Sequence, residues 1–535
     1  MFSEDAQAMQ PHDPLLSRRD ILRLTAVGAL AGAAGLTPRL DGVFAATSGA
    51  PVEAAKPKRG GRLRVGHVGG GTAETVDPHM VVAPVDNARA VNLFDRLTRL
   101  KPDLTVEMEL AESFEPNATA TSWTARLRKG VTWHDGKPLT ADDVIYTLRR
   151  IGGPKSTFIG ASTIVQIDIA HLKKLDNLTV RMPLKQAIAE LPLLFTGYFM
   201  GIVQNGAKSF KHPIGTGAFM FESFTPGQSS LFKRNPNYWK TGQPYVDDLE
   251  ILSIPDQGAR LNALIGGQVD AIEYVNYAQA KSQMSLQQIN LLVAQNSNVV
   301  PITMSCDLAP FKDVRVRQAF RLIADRPALV NAAQLGFGTI GNDLFGKGFQ
   351  GYDTALPQRH QDLDQARSLL KKAGQSNLQV TLYSSKAAPG MLESATAFAE
   401  QAKAAGVTIS VHNGPADSYY SNNYLKWNFG QTQWNAYPII VWMQQALLSN
   451  APYNETHWYR PEWDKLFNEA IGTLDAGKRQ TLMFEVQKQL WDEGGYLMWG
   501  FAPQIDGLAK YVRGAVPNPA AALGAYDYRD FWLDK

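Results

Sequence analysis

The residues from 378 to 411 place the tightest constraint on the fold. Leu378–Tyr383 alternates as a strand, Met391–Ala405 carries a helical apolar pattern that Gly406 stops, and Val407–Val411 alternates again. This order implies a partly parallel sheet with helices on its faces. The pattern extends on both sides. Residues Val299–Ser305 read as one strand, and Val316, Ala319, Phe320 and Ile323 share one helical face. Asp325-Arg326-Pro327 restarts a helix, and Asp364–Ala373 forms another with Gly374 as its stop. Two more helices are expected at Glu462–Thr473 and Lys478–Trp491. The fold class is therefore α/β.

The first half of the chain is built from shorter pieces. Leu63–Val68 follows Gly60-Gly61 and alternates as a strand. The next turn, Gly69-Gly70-Gly71-Thr72, lacks both GxGxxG and a following Lys-Ser/Thr. It reads as a place where backbone approaches a ligand or a hinge, not as a phosphate loop. Val91–Leu97 carries a helical pattern, and Trp123–Leu127 alternates as a strand. Thr140 is the expected N-cap of a helix, with Asp143 three residues on to reach back to the cap amide. His134 beside Asp135 lies in a turn with no nucleophile nearby in sequence, so it is read as structural.

The N-terminus reads as an address. Ser17-Arg18-Arg19 and a short apolar run, Leu24–Leu36, precede small residues at Ala45-Ala46. The run is too short to span a bilayer, and the elements stand in the order of an export signal over residues 1–45. The paired arginines resemble a twin-arginine signal. Residues 46–59, rich in Ala, Pro and Lys, read as a linker. No cysteine lies near the cleavage point, so no lipid anchor is expected, and the exported chain is expected to be soluble in the periplasm. Lys+Arg number 53 against 50 Asp+Glu, too balanced for a nucleic-acid coat. The lone Cys306 can make neither an internal disulfide nor a thiolate cluster. No histidine pair has i, i+4 spacing and no HExxH occurs, so neither a built-in metal nor a cofactor is expected. No GxSxG or comparable nucleophile motif occurs, and no enzymatic activity is expected.

Six segments carry a resemblance in order along the chain. They are Gly61–Gly66 with Val76-Asp77-Pro78, Leu127–Val144, Pro213-Ile214-Gly215-Thr216-Gly217, Arg234–Trp239, Gly267-Gln268-Val269-Asp270, and Pro310–Ala319. Together they resemble the extracytoplasmic solute-binding proteins of peptide-type ABC transporters, family 5, which include dipeptide, oligopeptide and nickel binders. The resemblance implies a large, three-lobed periplasmic-binding-protein fold of the cluster C type. Two main lobes would close on a cleft, with an inserted subdomain at about 85–205. The first lobe would comprise 60–295 and 500–535, and the second 296–499. It also implies a small-molecule ligand, delivery to ABC permease subunits, and a monomer without nucleic acid.

Peptide-binding relatives grip the ligand's amino terminus with an Asp in a loop that here reads Gln433-Trp434-Asn435-Ala436-Tyr437-Pro438. The Asp is missing, and the nearest polar groups are the neutral Asn435 and Tyr437. A peptide-like solute therefore competes with an opine, an oligosaccharide or a metal chelate. Aromatic residues gather around this loop, and Trp434 and Tyr437 are expected in the cleft. Other candidates come from position. Thr72 and Glu74 follow the first strand. Tyr383, Ser384 and Lys386 end a strand where relatives hold a ligand carboxylate, and Asp307 would replace the lost anionic partner.

Overall fold

The computed structural model describes residues 56–535 apart from 82, 417 and 423. The expected export signal, and the linker up to residue 55, lie outside the described residues.

Three sheets organise the described chain. The largest has nine strands, and eight of them follow one another in the order Trp434–Asn435, Asn290–Val299, Gly500–Leu508, Ala271–Ile272, Arg62–His67, Asp248–Ser253, Ser229–Arg234 and Phe219–Thr225. Arg62–His67 runs parallel to both neighbours. Its alternation explains its central place. Leu63 and Val65 are buried in the core, while Arg62 pairs with Asp248 and Arg64 with Asp270. The second sheet has five strands, in the order Thr408–Gly414, Gln379–Ser385, Phe429–Gln431, Ile302–Met304 and Tyr496–Leu497. Gln379–Ser385 and Thr408–Gly414 are parallel, joined by the helix Met391–Lys403. Phe398 from that helix is buried with Phe320 and Phe429. The third sheet is antiparallel and four-stranded, Ala111–Pro116, Ser122–Leu127, Thr179–Pro183 and Lys173–Asp176. The helix Ala141–Gly152 packs on it with Val144, Ile145, Leu148 and Ile151 buried. At its start the Asp143 carboxylate accepts from the Thr140 amide at 2.8 Å, as the spacing predicts.

Three segments of chain pass from one sheet to the other. The strand expected at Val299–Ser305 is in fact two. Asn290–Val299 belongs to the nine-stranded sheet and Ile302–Met304 to the five-stranded one, with Pro301 between them. Proline cannot donate to a ladder, which is why the strand breaks there. The segment from Phe429–Gln431 to Trp434–Asn435 makes the second passage, and that from Tyr496–Leu497 to Gly500–Leu508 the third. The passages are bonded to one another. The Trp499 indole donates to the Val300 carbonyl at 2.9 Å, and the Thr432 amide to the Pro301 carbonyl at 3.3 Å.

A second correction concerns the helix expected over Val91–Leu97. It spans Pro84–Leu93, and the chain turns extended at Phe94. Two glycines of the Pro-Ile-Gly-Thr-Gly turn occupy its end. A Cβ on Gly215 would stand 1.7 Å from the Leu93 carbonyl oxygen, and one on Gly217 would stand 2.4 Å from that of Asn92. Asp95 then accepts from the hydroxyls of Thr216 at 3.1 Å and Tyr238 at 3.0 Å, and from the Trp239 indole at 2.9 Å. Burial and the neighbouring Glu109 raise the Asp95 carboxyl to about 6.

The same turn claims His134. Its Nε2 donates to the Gly217 carbonyl at 3.0 Å while Nδ1 accepts from the Gly215 amide at 3.1 Å. This arrangement needs a neutral ring, and burial lowers the group to about 4. The unfolded chain takes up this proton near 6.5, the folded chain only near 4. Between those values the unfolded state binds more protons, so stability rises with pH in that window and is lost on acidification. An NMR titration of the folded protein is expected to show the His134 ring neutral at pH 6. The urea midpoint is expected to fall between pH 6.5 and 4 with a gentler slope in His134→Gln.

Candidate functional site

The aromatic loop, which continues from one of the three passages, lines a cavity of about 660 Å³. One wall is the segment Gln433–Pro438. Pro301 sets it up at a distance. By ending the strand Asn290–Val299 it leaves Asn298 and Val299 to pair with Asn435 and Trp434. Further lining comes from residues 193–194, 196–199, 520–521 and 525, including Tyr198. The Tyr437 hydroxyl hydrogen-bonds to Asn435 and Tyr198, and burial raises its pKa. Tyr420, Tyr424 and Tyr453 complete the aromatic lining.

Arg96 is the one charged residue among the described residues that line this cavity. It is 6% exposed. One guanidinium nitrogen donates to the Thr196 carbonyl at 2.9 Å, while Nε lies 3.6 Å from Glu109 without a hydrogen bond. No Asp or Glu side chain lines the cavity among the described residues.

A carboxylate does stand behind the lining. Glu455 is 1% exposed. Its Oε1 accepts from the Thr432 hydroxyl at 2.9 Å, the Trp434 indole at 2.9 Å and the Tyr496 hydroxyl at 2.8 Å. Its Oε2 accepts from the Tyr424 hydroxyl at 3.0 Å. Burial pushes the carboxyl up from its ordinary range, and these four donors act against that shift. Sequence reasoning missed both Glu455 and Arg96. The donors to Glu455 come from residues 424, 432, 434 and 496, and no local motif joins them.

Of the nine residues singled out from sequence, the structure brings three to this cavity: Trp434, Asn435 and Tyr437. Tyr383 lies elsewhere, on a shallower hollow of about 360 Å³ beside Trp427. Ser384 is buried and donates to the Gln431 amide oxygen at 2.6 Å. Lys386 is exposed and outside the cavity lining. Asp307 pairs with Nδ1 of His457 at 2.7 Å, also outside the lining. Thr72 is exposed on a short turn. Glu74 is buried and committed to the frame. It accepts from Arg89 at 2.8 Å, from Ser253 at 2.6 Å and from the Gly70 amide at 3.1 Å. Burial would raise this carboxyl, but the bonds from Ser253 and Arg89 outweigh it and hold it below the usual range.

Comparison with known proteins shows the family of the chain. Residues 105–455 match the bacterial extracellular solute-binding proteins, family 5 (middle). The chain belongs to that family. It is 27% identical over 483 residues to heme-binding protein A of Haemophilus influenzae, covering 81% of this chain and 86% of that protein. It is 25% identical over 505 residues to the dipeptide-binding protein of Escherichia coli, covering 87% and 93%. Among solved structures, the ABC transporter substrate-binding protein CtaP from Listeria monocytogenes superposes with a TM-score of 0.79 at 21% identity, covering 89% of this chain and 100% of that one. That likeness shows the fold. The family 5 chain is the substrate-binding component of an ABC transporter and not an enzyme. It takes a small solute, and its membership implies permease partners. Among the described residues no helix is long and apolar enough to cross a membrane.

Removing one donor from Glu455 leaves a buried charge short of a partner. Tyr424→Phe is expected to cost about 1.5–3 kcal/mol in urea unfolding. Tyr453→Phe, on a ring 44% exposed, is expected to stay within about 0.5 kcal/mol of wild type.

Proposed function

We propose that this protein captures a peptide-like small organic solute in the 660 Å³ cavity and hands it to its permease. The observation that carries the reading is the lining itself. Trp434, Tyr437 and Tyr198 face one volume from sequence-distant segments, with the amides of Gln433 and Asn435 among them. A concave, mostly apolar site with a few converging polar groups is what a small-molecule receptor requires. Closure would bend the chain at the three passages between sheets, a hinge movement around the ligand. In this proposal the two closing lobes are residues 60–295 with 500–535, and residues 296–499, and residues 85–205 are the inserted subdomain. The protein acts as a monomer in the periplasm after twin-arginine export, without a lipid anchor.

A second reading has its own observation. The cavity lining offers Arg96 and no carboxylate. A peptide's free ammonium finds only neutral acceptors there, whereas a carboxylate-bearing opine or a chelate would meet a guanidinium. The relatives, one a heme-binding protein and one a dipeptide-binding protein, span both readings.

The test is a thermal-shift and calorimetric survey of dipeptides, tripeptides, opines, oligosaccharides and metal chelates. A true ligand at 100 times its Kd adds about 2.7 kcal/mol to unfolding stability. The bound ligand is recovered unchanged. Trp434→Ala is expected to weaken that ligand at least about tenfold with the circular dichroism spectrum retained. Unchanged affinity in this variant would move the site elsewhere, and a converted ligand would overturn the carrier reading.

A further inference from the structure

Glu455 forms no ion pair with a lysine, arginine or histidine among the described residues, and its hydrogen-bond donors are all neutral. Two of them, the Tyr424 hydroxyl and the Trp434 indole, belong to rings that line the cavity. Tyr420 and Tyr453 line it beside them. The rings form a continuous chain. Centroids are 5.6 Å apart for Tyr420 and Tyr424, 6.4 Å for Tyr424 and Tyr453, and 6.0 Å for Trp434 and Tyr453. The interplanar angles are 86°, 33° and 77°, so the faces turn in different directions instead of stacking.

We propose that this aromatic wall is a subsite for a methylated ammonium group, with the Glu455 carboxylate as its counter-charge behind the rings. The proposal rests on the reading that the 660 Å³ cavity holds the transported solute. Aromatic faces attract cations through their quadrupole, and the attraction grows when both are desolvated. Donation of the Tyr424 and Trp434 hydrogens to a carboxylate polarises those rings in the direction that favours a cation. Glu455 has only neutral donors around it, so a cation on the cavity side would supply the counter-charge that its own partners do not.

The lining selects the kind of cation. A primary ammonium loses strong hydrogen bonds to water and needs acceptors in return. The cavity offers no carboxylate among its described lining residues, only the amide oxygens of Gln433, Asn435 and Gln445 as side-chain amides. A quaternary or otherwise N-methylated ammonium carries no such donors, or fewer of them. Its charge is spread over methyl groups that contact ring faces directly.

The experiment is a calorimetric titration of the purified protein with choline and with 3,3-dimethylbutan-1-ol, the uncharged isostere with carbon in place of nitrogen. Choline is expected to bind at least about tenfold more tightly than the alcohol. Glu455→Gln is expected to bring that ratio close to one. If that variant fails to fold, Tyr453→Leu, at an exposed ring, is the second probe and is expected to lose choline affinity. Equal binding of the two isosteres, or no choline binding in the millimolar range, overturns the subsite. The survey of peptides and opines runs in parallel. If one of those binds and choline does not, the cation subsite falls while the carrier reading stands. If choline binds equally well to Trp434→Ala and Tyr453→Leu, both the subsite and the choice of cavity fall.

Discussion

The carboxylate of Glu455 ties together strands that belong to two different sheets. Tyr496 lies in the five-stranded sheet, Trp434 in the nine-stranded sheet, and Thr432 in the passage between them. A buried charge bonded to all three fixes their relative placement more firmly than apolar contact does, because a broken bond leaves the charge with one fewer partner. The aromatic wall follows from that placement. The indole of Trp434 is oriented by its bond to Glu455, and the ring of Tyr424 by its own. The cavity is thus shaped by a group that its lining hides.

The segments that mark the family do a different job. His134, Gly215, Gly217 and Asn235 share one knot, with the Gly217 carbonyl accepting from both His134 and Asn235 at 3.0 Å. Asp95 gathers Thr216, Tyr238 and Trp239. Arg529, near the C-terminal end, closes the cluster by donating to Asp527 at 2.6 Å and to Glu109 at 2.9 Å. Arg317, from the Pro310–Ala319 segment, donates to the Glu493 carbonyl at 2.9 Å and to that of Phe311 at 2.6 Å. These are buried polar groups that satisfy one another. They hold turns and helix ends in register and none of them lines the cavity. A frame built this way leaves the lining free to differ without disturbing these contacts.

Legibility in the sequence followed distance along the chain. The Thr140–Asp143 cap, the parallel pair around residues 378–411 and the helix ending before Gly374 depend on residues within a few positions, and each is where its pattern places it. The break at Pro301 was visible as a residue, but the alternating apolar run on both sides outweighed it until the two halves were seen in separate sheets. The end of the helix at Leu93 is not legible, because what packs against it is a pair of glycines more than a hundred residues away. The site divides the same way. Trp434, Asn435 and Tyr437 stand in one short loop and enter the cavity together. Glu74 looked free, yet Arg89 and Ser253 consume it. Glu455 stands in no local motif, and only the folded chain brings its four donors together.

The three passages also constrain how the cavity can close. The Val300 carbonyl accepts from Trp499 and the Pro301 carbonyl from the Thr432 amide, so each passage is bonded to a neighbour. In the carrier reading, movement of one sheet against the other cannot concentrate in a single strand and must bend all three together. Glu455 bonds to residues on both sides of that bend. In that reading a closing movement would change the geometry of the Trp434 and Tyr496 hydrogen bonds, and with it the energy of the buried carboxylate. A ligand seated against Trp434 acts on the same group from the cavity side. In the carrier reading recognition and closure would be coupled through one carboxylate, and a ligand that lowers its energy only in the closed geometry would shift the population by its difference in affinity between the two states.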